Sequence, residues 1–422
     1  MIRVSENKQY FIKDGKKFFY LGDTVWSTFT NATSEEFLEY LEYRRSQGFN
    51  SLQINILPQW DRSMPDVDIH PFEINDKGIY NFYSINEKYF DRAEKFLEMA
   101  VDKGFIPNLV VLWGNYVKDT WISERVPQTL MPYDAIVPYV CYAVKRFSRF
   151  NPMYMISGDT DFRSEDSIMY YLTALKTIKE LTPHALCTLH LAPTAFLPDE
   201  IVSSGYLDFY MYQSGHGSDQ STTYTLPEAF GSLPLKRPVL NGEPCYEGIG
   251  EEKYGMRFGR FHLRRATWHS LLCGAKAGIT YGAHGIWNWH KNNSEYSWKG
   301  TFHPPFDWKT ALRFEGAWDM AFAKHVFEEY DMFEFESCDM VMTSNNEIKM
   351  AANRDMSRFA IYLPYATDIN IKLNLERYDV TLINLNNRFY GKPEIIAGKE
   401  FSTIKLYQVN ADMIVIGNES KT

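Results

Sequence analysis

Cysteine is scarce and unpaired in this chain: Cys141, Cys187, Cys245, Cys273 and Cys338 make an odd count of 5 in 422 residues, with no CxxC spacing. That argues against a disulfide framework or a structural zinc site, and the thiols are expected to be free and mostly buried. Basic charge is short as well. The net charge is -9, and Lys/Arg clusters run no further than pairs such as Lys16-Lys17 and Arg44-Arg45, so nucleic acid is not an expected partner. No run of about eighteen apolar residues occurs, so no membrane span is read, and the opening MIRVSENKQY lacks the apolar core of an export signal. As it stands the chain is expected to be cytoplasmic, or periplasmic or secreted if an export signal has been removed. Neither GxGxxG nor GxxxxGK[ST] is present, which argues against a doubly wound nucleotide-binding sheet.

Aromatic residues, by contrast, are abundant. They make up 16% of the chain, with 10 Trp and 28 Tyr. Their flat apolar faces suit sugar rings and core packing alike. The opening KQYFIKDGKKFFYLGDT places two apolar-aromatic runs around Asp14-Gly15, which predicts a lid hairpin leading into a first core strand, Phe18 to Leu21. Thr33-Ser34-Glu35-Glu36 is a capping-box pattern, followed by Phe37, Leu38 and Leu41 at helical spacing and a stop at Gly48.

SLQINIL then reads as a strand, and the alternation repeats. Phe90, Ala93, Leu97 and Ala100 share a helix face ending at Gly104, and FIPNLVVLW follows as an apolar strand. Further strands are expected at Met153 to Ile156, Leu186 to Leu191, Leu207 to Tyr212, Pro238 to Leu240 and Gly278 to Ile286. Helices are expected near 134–148, 165–181, 257–275 and 309–328. About eight strand-helix units predict a (β/α)8 barrel, with residues 1–335 as its domain. From 336 to 422, short β-branched runs such as SRFAIYLP, YDVTLINL and STIKLYQV predict a small all-β sandwich packed firmly on the barrel, as a cap and stabiliser or as a sugar-binding module.

In such a barrel, chemistry sits at the C-terminal ends of the strands. Strand one ends at Asp23 with Trp26 behind it, strand two supplies Gln53 and Asn55, and strand three ends at Trp113 and Asn115. Strand four gives Asp159 and Asp161, strand five His190, and strand six Tyr212, Gln213 and His216. Strand seven gives Glu243, and strand eight His284, Trp287, Asn288 and Trp289. Carboxylates, amides, imidazoles and indoles with almost no Lys or Arg suit a neutral, hydroxyl-rich ligand. A carbohydrate substrate is therefore expected, with no metal or organic cofactor. Asp23, Trp26, Asn55, Trp113, His190, Tyr212, Gln213, His216, Trp287 and Trp289 are expected to contact it.

Breaking a glycosidic bond requires a carboxylic acid to protonate the leaving oxygen and a carboxylate that attacks or activates water. Asp159 and Glu243, on strands at opposite sides of the mouth, are the expected pair, with Glu243 as nucleophile and Asp159 as acid and then base. A separation of about 5–5.5 Å would permit retention through a covalent intermediate. Asp161 is an alternative acid, and Asp159 could instead serve as an ordinary turn residue. Glu247 reads as a loop carboxylate and Cys245 as a structural thiol. His190, His216 and His284 lack metal-site spacing, which leaves metal-dependent hydrolysis as a rival reading. A sugar-binding protein without catalysis is another.

FFYLGDTVW, GFNSLQINIL, ISGDTDF and VLNGEPCYE resemble segments of the glycoside hydrolase family 140-like proteins, clan A barrels that often carry a small C-terminal β-domain of the collagen-binding type. The likeness covers nearly the whole chain, and YLGDTVW with its preceding hairpin is its most specific part. It implies a retaining glycosidase whose catalytic Asp and Glu match Asp159 and Glu243. The activity characterised in that family is removal of apiose from plant pectin side chains. By the same resemblance, Tyr212 matches the tyrosine that strand six of clan A barrels places beside the nucleophile. One departure stands out: strand four ends in Gly-Asp, where clan A enzymes typically carry Asn-Glu, so the acid is one methylene shorter and retention is open against inversion.

Overall fold

Each apolar run that follows a helix forms a strand whose side chains are buried along its length, as a parallel sheet covered by helices requires. The computed structural model of the protein describes residues 1–406 and 411–420. Eight parallel strands are numbered in chain order: β1 (Tyr20–Thr24), β2 (Ser51–Asn55), β3 (Ile106–Trp113), β4 (Met153–Gly158), β5 (Cys187–Thr188), β6 (Tyr210–Gln213), β7 (Val239–Glu243) and β8 (Gly278–Tyr281). They pair in the order β5-β4-β3-β2-β1-β8-β7-β6. The two ends of that order meet, because the Asp208 N–H donates to the Cys187 carbonyl at 3.0 Å and the Thr188 hydroxyl donates to the Phe209 carbonyl at 2.8 Å. The result is a (β/α)8 barrel.

Local chemistry explains where its helices begin and end. Thr33 Oγ1 accepts from the Glu36 N–H at 3.2 Å while Glu36 accepts from the Thr33 N–H at 2.9 Å, closing the capping box that starts the helix Ser34–Ser46. The stretch expected as one helix over 309–328 divides into Trp308–Leu312 and Gly316–Glu329. The structure also contains an antiparallel pair with no counterpart in the sequence reading, Phe72–Ile74 with Tyr80–Ile85, inserted after β2. None of the described helices is long and apolar enough to cross a membrane.

At the N-terminus the hairpin around Asp14-Gly15 gains a third strand, so that Ile2–Val4, Phe11–Lys13 and Lys16–Phe18 form one small sheet. It is not a lid over the mouth. Phe11, fully buried, packs edge-on against Phe209 just before β6, which puts the sheet beneath the barrel at the N-terminal ends of its strands.

After the barrel come two antiparallel sheets of six and four strands, with a core of their own around Phe359, Ile361, Ile371, Ile404 and Val415. The strand expected in STIKLYQV runs over Ser402–Lys405, and Tyr407, Gln408 and Val409 lie outside the described residues. This sandwich is fastened to the barrel through ions. Arg264, on the barrel helix Arg260–Leu272, donates to Asp412 at 2.6 and 2.8 Å and to Asp319 at 3.0 Å. Arg260 and Arg388 reach the same Asp319, so one buried carboxylate gathers three guanidinium groups.

Candidate active site

A cavity of about 270 Å³ opens at the C-terminal ends of the strands, and both Asp159 and Glu243 line it. Glu243 is the last residue of β7, one position beyond Gly242, where a Cβ would lie 2.4 Å from the side chain of Met211. Its carboxylate is surrounded by donors. Gln213 Nε2 donates to Oε1 at 3.0 Å, His216 Nε2 lies 2.9 Å from the same oxygen, and His190 Nε2 lies 3.0 Å from Oε2 at an angle short of a hydrogen bond. Both imidazoles are fixed from behind: His190 Nδ1 accepts from the Asp159 N–H at 3.0 Å and His216 Nδ1 from the Tyr246 N–H at 3.3 Å. A ring nitrogen that accepts carries no proton, so each ring turns its Nε2–H toward Glu243. Burial by itself would push the Glu243 carboxyl up. The two imidazoles outweigh it and hold the group down to about 2.

Asp159 has the opposite environment. Burial, and then the charges of Glu243, Asp61 and Asp161, push its carboxyl well above the usual range. Its Oδ1 is shut away from solvent without a partner among the described residues, and its backbone is left-handed, with φ 48°. The preceding glycine has a steric reason: a Cβ on Gly158 would lie 2.1 Å from Trp113 Cε3, so the bare backbone lets that indole lie across the end of β4. The two carboxyls of one cavity are thus pushed in opposite directions, Asp159 toward keeping its proton and Glu243 toward losing it.

Trp26, Trp113, Gln213, His216 and Trp287 line the cavity with the two carboxyls. Five other expected contacts do not reach it. Asp23 is fully buried against Arg44 Nε at 2.5 Å and the Tyr40 hydroxyl at 2.7 Å, because a carboxylate at that depth needs a cation. Asn55 turns its Nδ2 to Gln59 at 2.8 Å and braces the loop after β2. His190 lies behind Glu243, fully buried. Tyr212 faces the outer helix layer and stacks on Phe230 at 5.9 Å, since successive residues on β6 alternate sides and Gln213 takes the inward one. Tyr246 takes the place beside Glu243 that the resemblance gives to Tyr212, with its hydroxyl accepting from Trp26 Nε1 at 3.2 Å.

Trp289 stacks on Trp308 at 5.2 Å and is lost to the core. Both indoles were expected at the end of strand eight, but β8 ends at Tyr281 and leaves them in turns without strand alternation, so that only Trp287 reaches the cavity. Asp161 is not placed as the acid: its Oδ1 accepts from the Trp121 N–H at 2.8 Å and its Oδ2 pairs with Arg163. Glu247 is more than a loop carboxylate, since it accepts from the Gly316 N–H at 2.9 Å and the Tyr281 hydroxyl at 2.8 Å. Burial pushes the Cys245 thiol up to about 12, which keeps it from acting as a thiolate near neutrality. His284 is committed on both ring nitrogens, to Trp287 Nε1 and the His303 carbonyl. Among the described residues no three His, Cys, Asp or Glu side chains are grouped to hold a metal ion.

Sequence reasoning passed over Asp61, Trp121, Tyr246 and Trp298, all of which line the cavity. Tyr246 stands three residues after Glu243 and Asp61 six after the end of β2, so distance from a strand end was a usable signal for both. Trp121 and Trp298 lie deep in irregular loops, where no periodicity marks them.

The model of the family described as apiosidase-like, catalytic domain, matches residues 5–334. Among solved structures, a glycoside hydrolase family 5 protein from Bacteroides vulgatus is similar with a TM-score of 0.81 at 20% identity, covering 99% of this chain and 93% of that one. A second, known simply as a glycoside hydrolase, gives a TM-score of 0.79 at 21% identity over 100% of this chain and 97% of its own. At these identities the likeness speaks for the fold. No curated protein matches the sequence.

Proposed function

This chain belongs to the apiosidase-like family of glycoside hydrolases, and on that footing we propose that it removes a terminal sugar from a plant-type oligo- or polysaccharide with retention of configuration. Glu243 is the nucleophile and Asp159 the general acid, then base. The observation that carries this reading is that the two carboxyls line one cavity in opposed environments, Glu243 held by Gln213 and His216 and Asp159 with a buried oxygen that has no partner among the described residues. A group held near 2 is ionised and ready to attack an anomeric carbon, and a group held well above the carboxylate range still has its proton for the leaving oxygen.

In the first step Glu243 bonds to the anomeric carbon as the bond to the leaving oxygen breaks, and that oxygen takes the proton of Asp159. In the second, ionised Asp159 takes a proton from water, the water oxygen bonds to the same carbon, and Glu243 departs as a carboxylate. Trp26, Trp113 and Trp287 border the space for the sugar, and His216 and Gln213 hold the nucleophile in line. The family description and the cavity size favour apiose or another small terminal sugar, since about 270 Å³ lies just under the range of about 300–1,000 Å³ usual for ligand pockets.

Incubation with a panel of pectic and hemicellulosic oligosaccharides, followed by product analysis, tests the reading. Release of a single terminal sugar by the native protein but not by Glu243→Gln is expected. Binding without release in the native protein would favour the non-catalytic alternative.

A further inference from the structure

Three tryptophans from three separate loops meet at the cavity mouth: Trp60 after β2, Trp121 after β3 and Trp298 after β8. Their ring centres are 6.2 Å (Trp60–Trp121), 5.2 Å (Trp60–Trp298) and 6.1 Å (Trp121–Trp298) apart. All three are half-buried, unlike Trp268 and Trp289 in the core. Two are tied to the acid's surroundings. Trp121 donates its indole N–H to the carbonyl of Asp159 at 2.8 Å and its backbone N–H to Asp161, and Trp298 donates its indole N–H to Asp61 at 3.0 Å. With these N–H groups engaged the rings are fixed in orientation, and Arg125 lies over Trp121 and Trp298 at 5.3 and 5.2 Å from their ring centres, so each meets a ligand through the surface it turns to the cavity.

Position assigns the triangle a purpose. Trp121 and Trp298 line the cavity of the two carboxyls, while Trp60 lines an adjoining cavity of about 270 Å³ with Arg62 and Asn115. In that second cavity Trp60 Nε1, Arg62 Nε and the Oδ1 of fully buried Asn115 have no hydrogen-bond partner among the described residues. Such orphaned polar atoms point to a polar ligand or water that completes them. In a retaining glycosidase the leaving group lies on the side of the acid, away from the nucleophile. The triangle is on the acid's side, fastened to Asp159 itself, whereas Glu243 is enclosed by His190, His216 and Gln213. The cleaved sugar also has indoles of its own in Trp26, Trp113 and Trp287.

We propose that the Trp60–Trp121–Trp298 triangle is the leaving-group subsite, an aromatic step on which the saccharide attached to the scissile oxygen stacks as it leads toward the second cavity. This rests on Asp159 being the acid. It predicts that the enzyme discriminates among leaving groups by stacking area, preferring a sugar ring to a leaving group with no ring.

The test compares two substrates sharing one terminal sugar: an oligosaccharide drawn from the panel and the corresponding glycosyl fluoride, whose leaving group cannot stack. In Trp298→Ala and, separately, Trp60→Ala, kcat/KM on the oligosaccharide should fall on the order of tenfold, with the fluoride little changed. Trp298→Phe, which keeps a ring, should recover much of the loss. Equal losses on both substrates in both variants would assign the triangle to the cleaved sugar and overturn the proposal, as would no loss on either. If the native protein cleaves neither substrate, the glycosidase reading has failed first and the subsite falls with it.

Discussion

His190 Nε2 stands 3.0 Å from Glu243 Oε2, while Nδ1 of the same ring accepts the backbone N–H of Asp159 at 3.0 Å. One imidazole therefore spans the gap between the backbone of Asp159 and the carboxylate of Glu243. Its own carbonyl accepts from the Ser157 hydroxyl at 2.8 Å, so the end of β4 and the chain after β5 are tied at the level of the two carboxyls.

His190→Ala removes a donor that favours the charged form of Glu243, so the nucleophile's pKa should rise. Loss of activity on the acid side of a kcat/KM profile should then set in at higher pH than in the native enzyme. An unchanged acid limb would mean that His216 and Gln213 suffice.

Asp159→Asn and Glu243→Gln should each lower turnover by at least roughly 10²–10⁴-fold, the range typical of a lost acid-base group, with the melting temperature little changed. Steady-state rates and circular dichroism check both points. Activity kept by either variant would reassign its role.

Asp61, half-buried beside Trp298, is pushed up to about 6 by burial and is one of the charges that push the Asp159 carboxyl up. A neighbouring negative charge stabilises the protonated acid, so Asp61→Asn should lower the Asp159 pKa and bring the basic limb of the rate profile to lower pH. A limb that stays in place would show that Glu243 and burial alone hold the proton.

Arg264→Met should destabilise the fold by about 3 kcal/mol, because it leaves Asp412 buried without its cation and takes one of three from Asp319. Denaturant unfolding measures this. A loss under about 1 kcal/mol would mean that the sandwich is held mainly by apolar contact.

The barrel was legible in the sequence because its signals are local: the capping box at Thr33, the stop at Gly48 and continuous apolar strands such as Ile106–Trp113. That Asp159 and Glu243 would share one cavity was legible because Asp159 directly follows a barrel strand and Glu243 ends another. Asp23 also ends a strand, yet Arg44 meets it from the following helix, a pairing that depends on packing at a sequence distance of 21. Tyr212 and Trp289 failed for geometric reasons, since one faces outward on β6 and the other lies past the end of β8. The tryptophan triangle was illegible because its members come from three loops more than fifty residues apart in sequence, and nothing but the folded barrel brings them together.

The most direct test of the two-carboxylate account is the anomeric configuration of the first sugar released, followed by proton NMR in the opening minutes of hydrolysis, before mutarotation scrambles it. Retention, with a glycosyl azide formed when Glu243→Gly is given azide, is the predicted result. An inverted first product would contradict it, because Glu243 would then be activating water instead of bonding to the sugar.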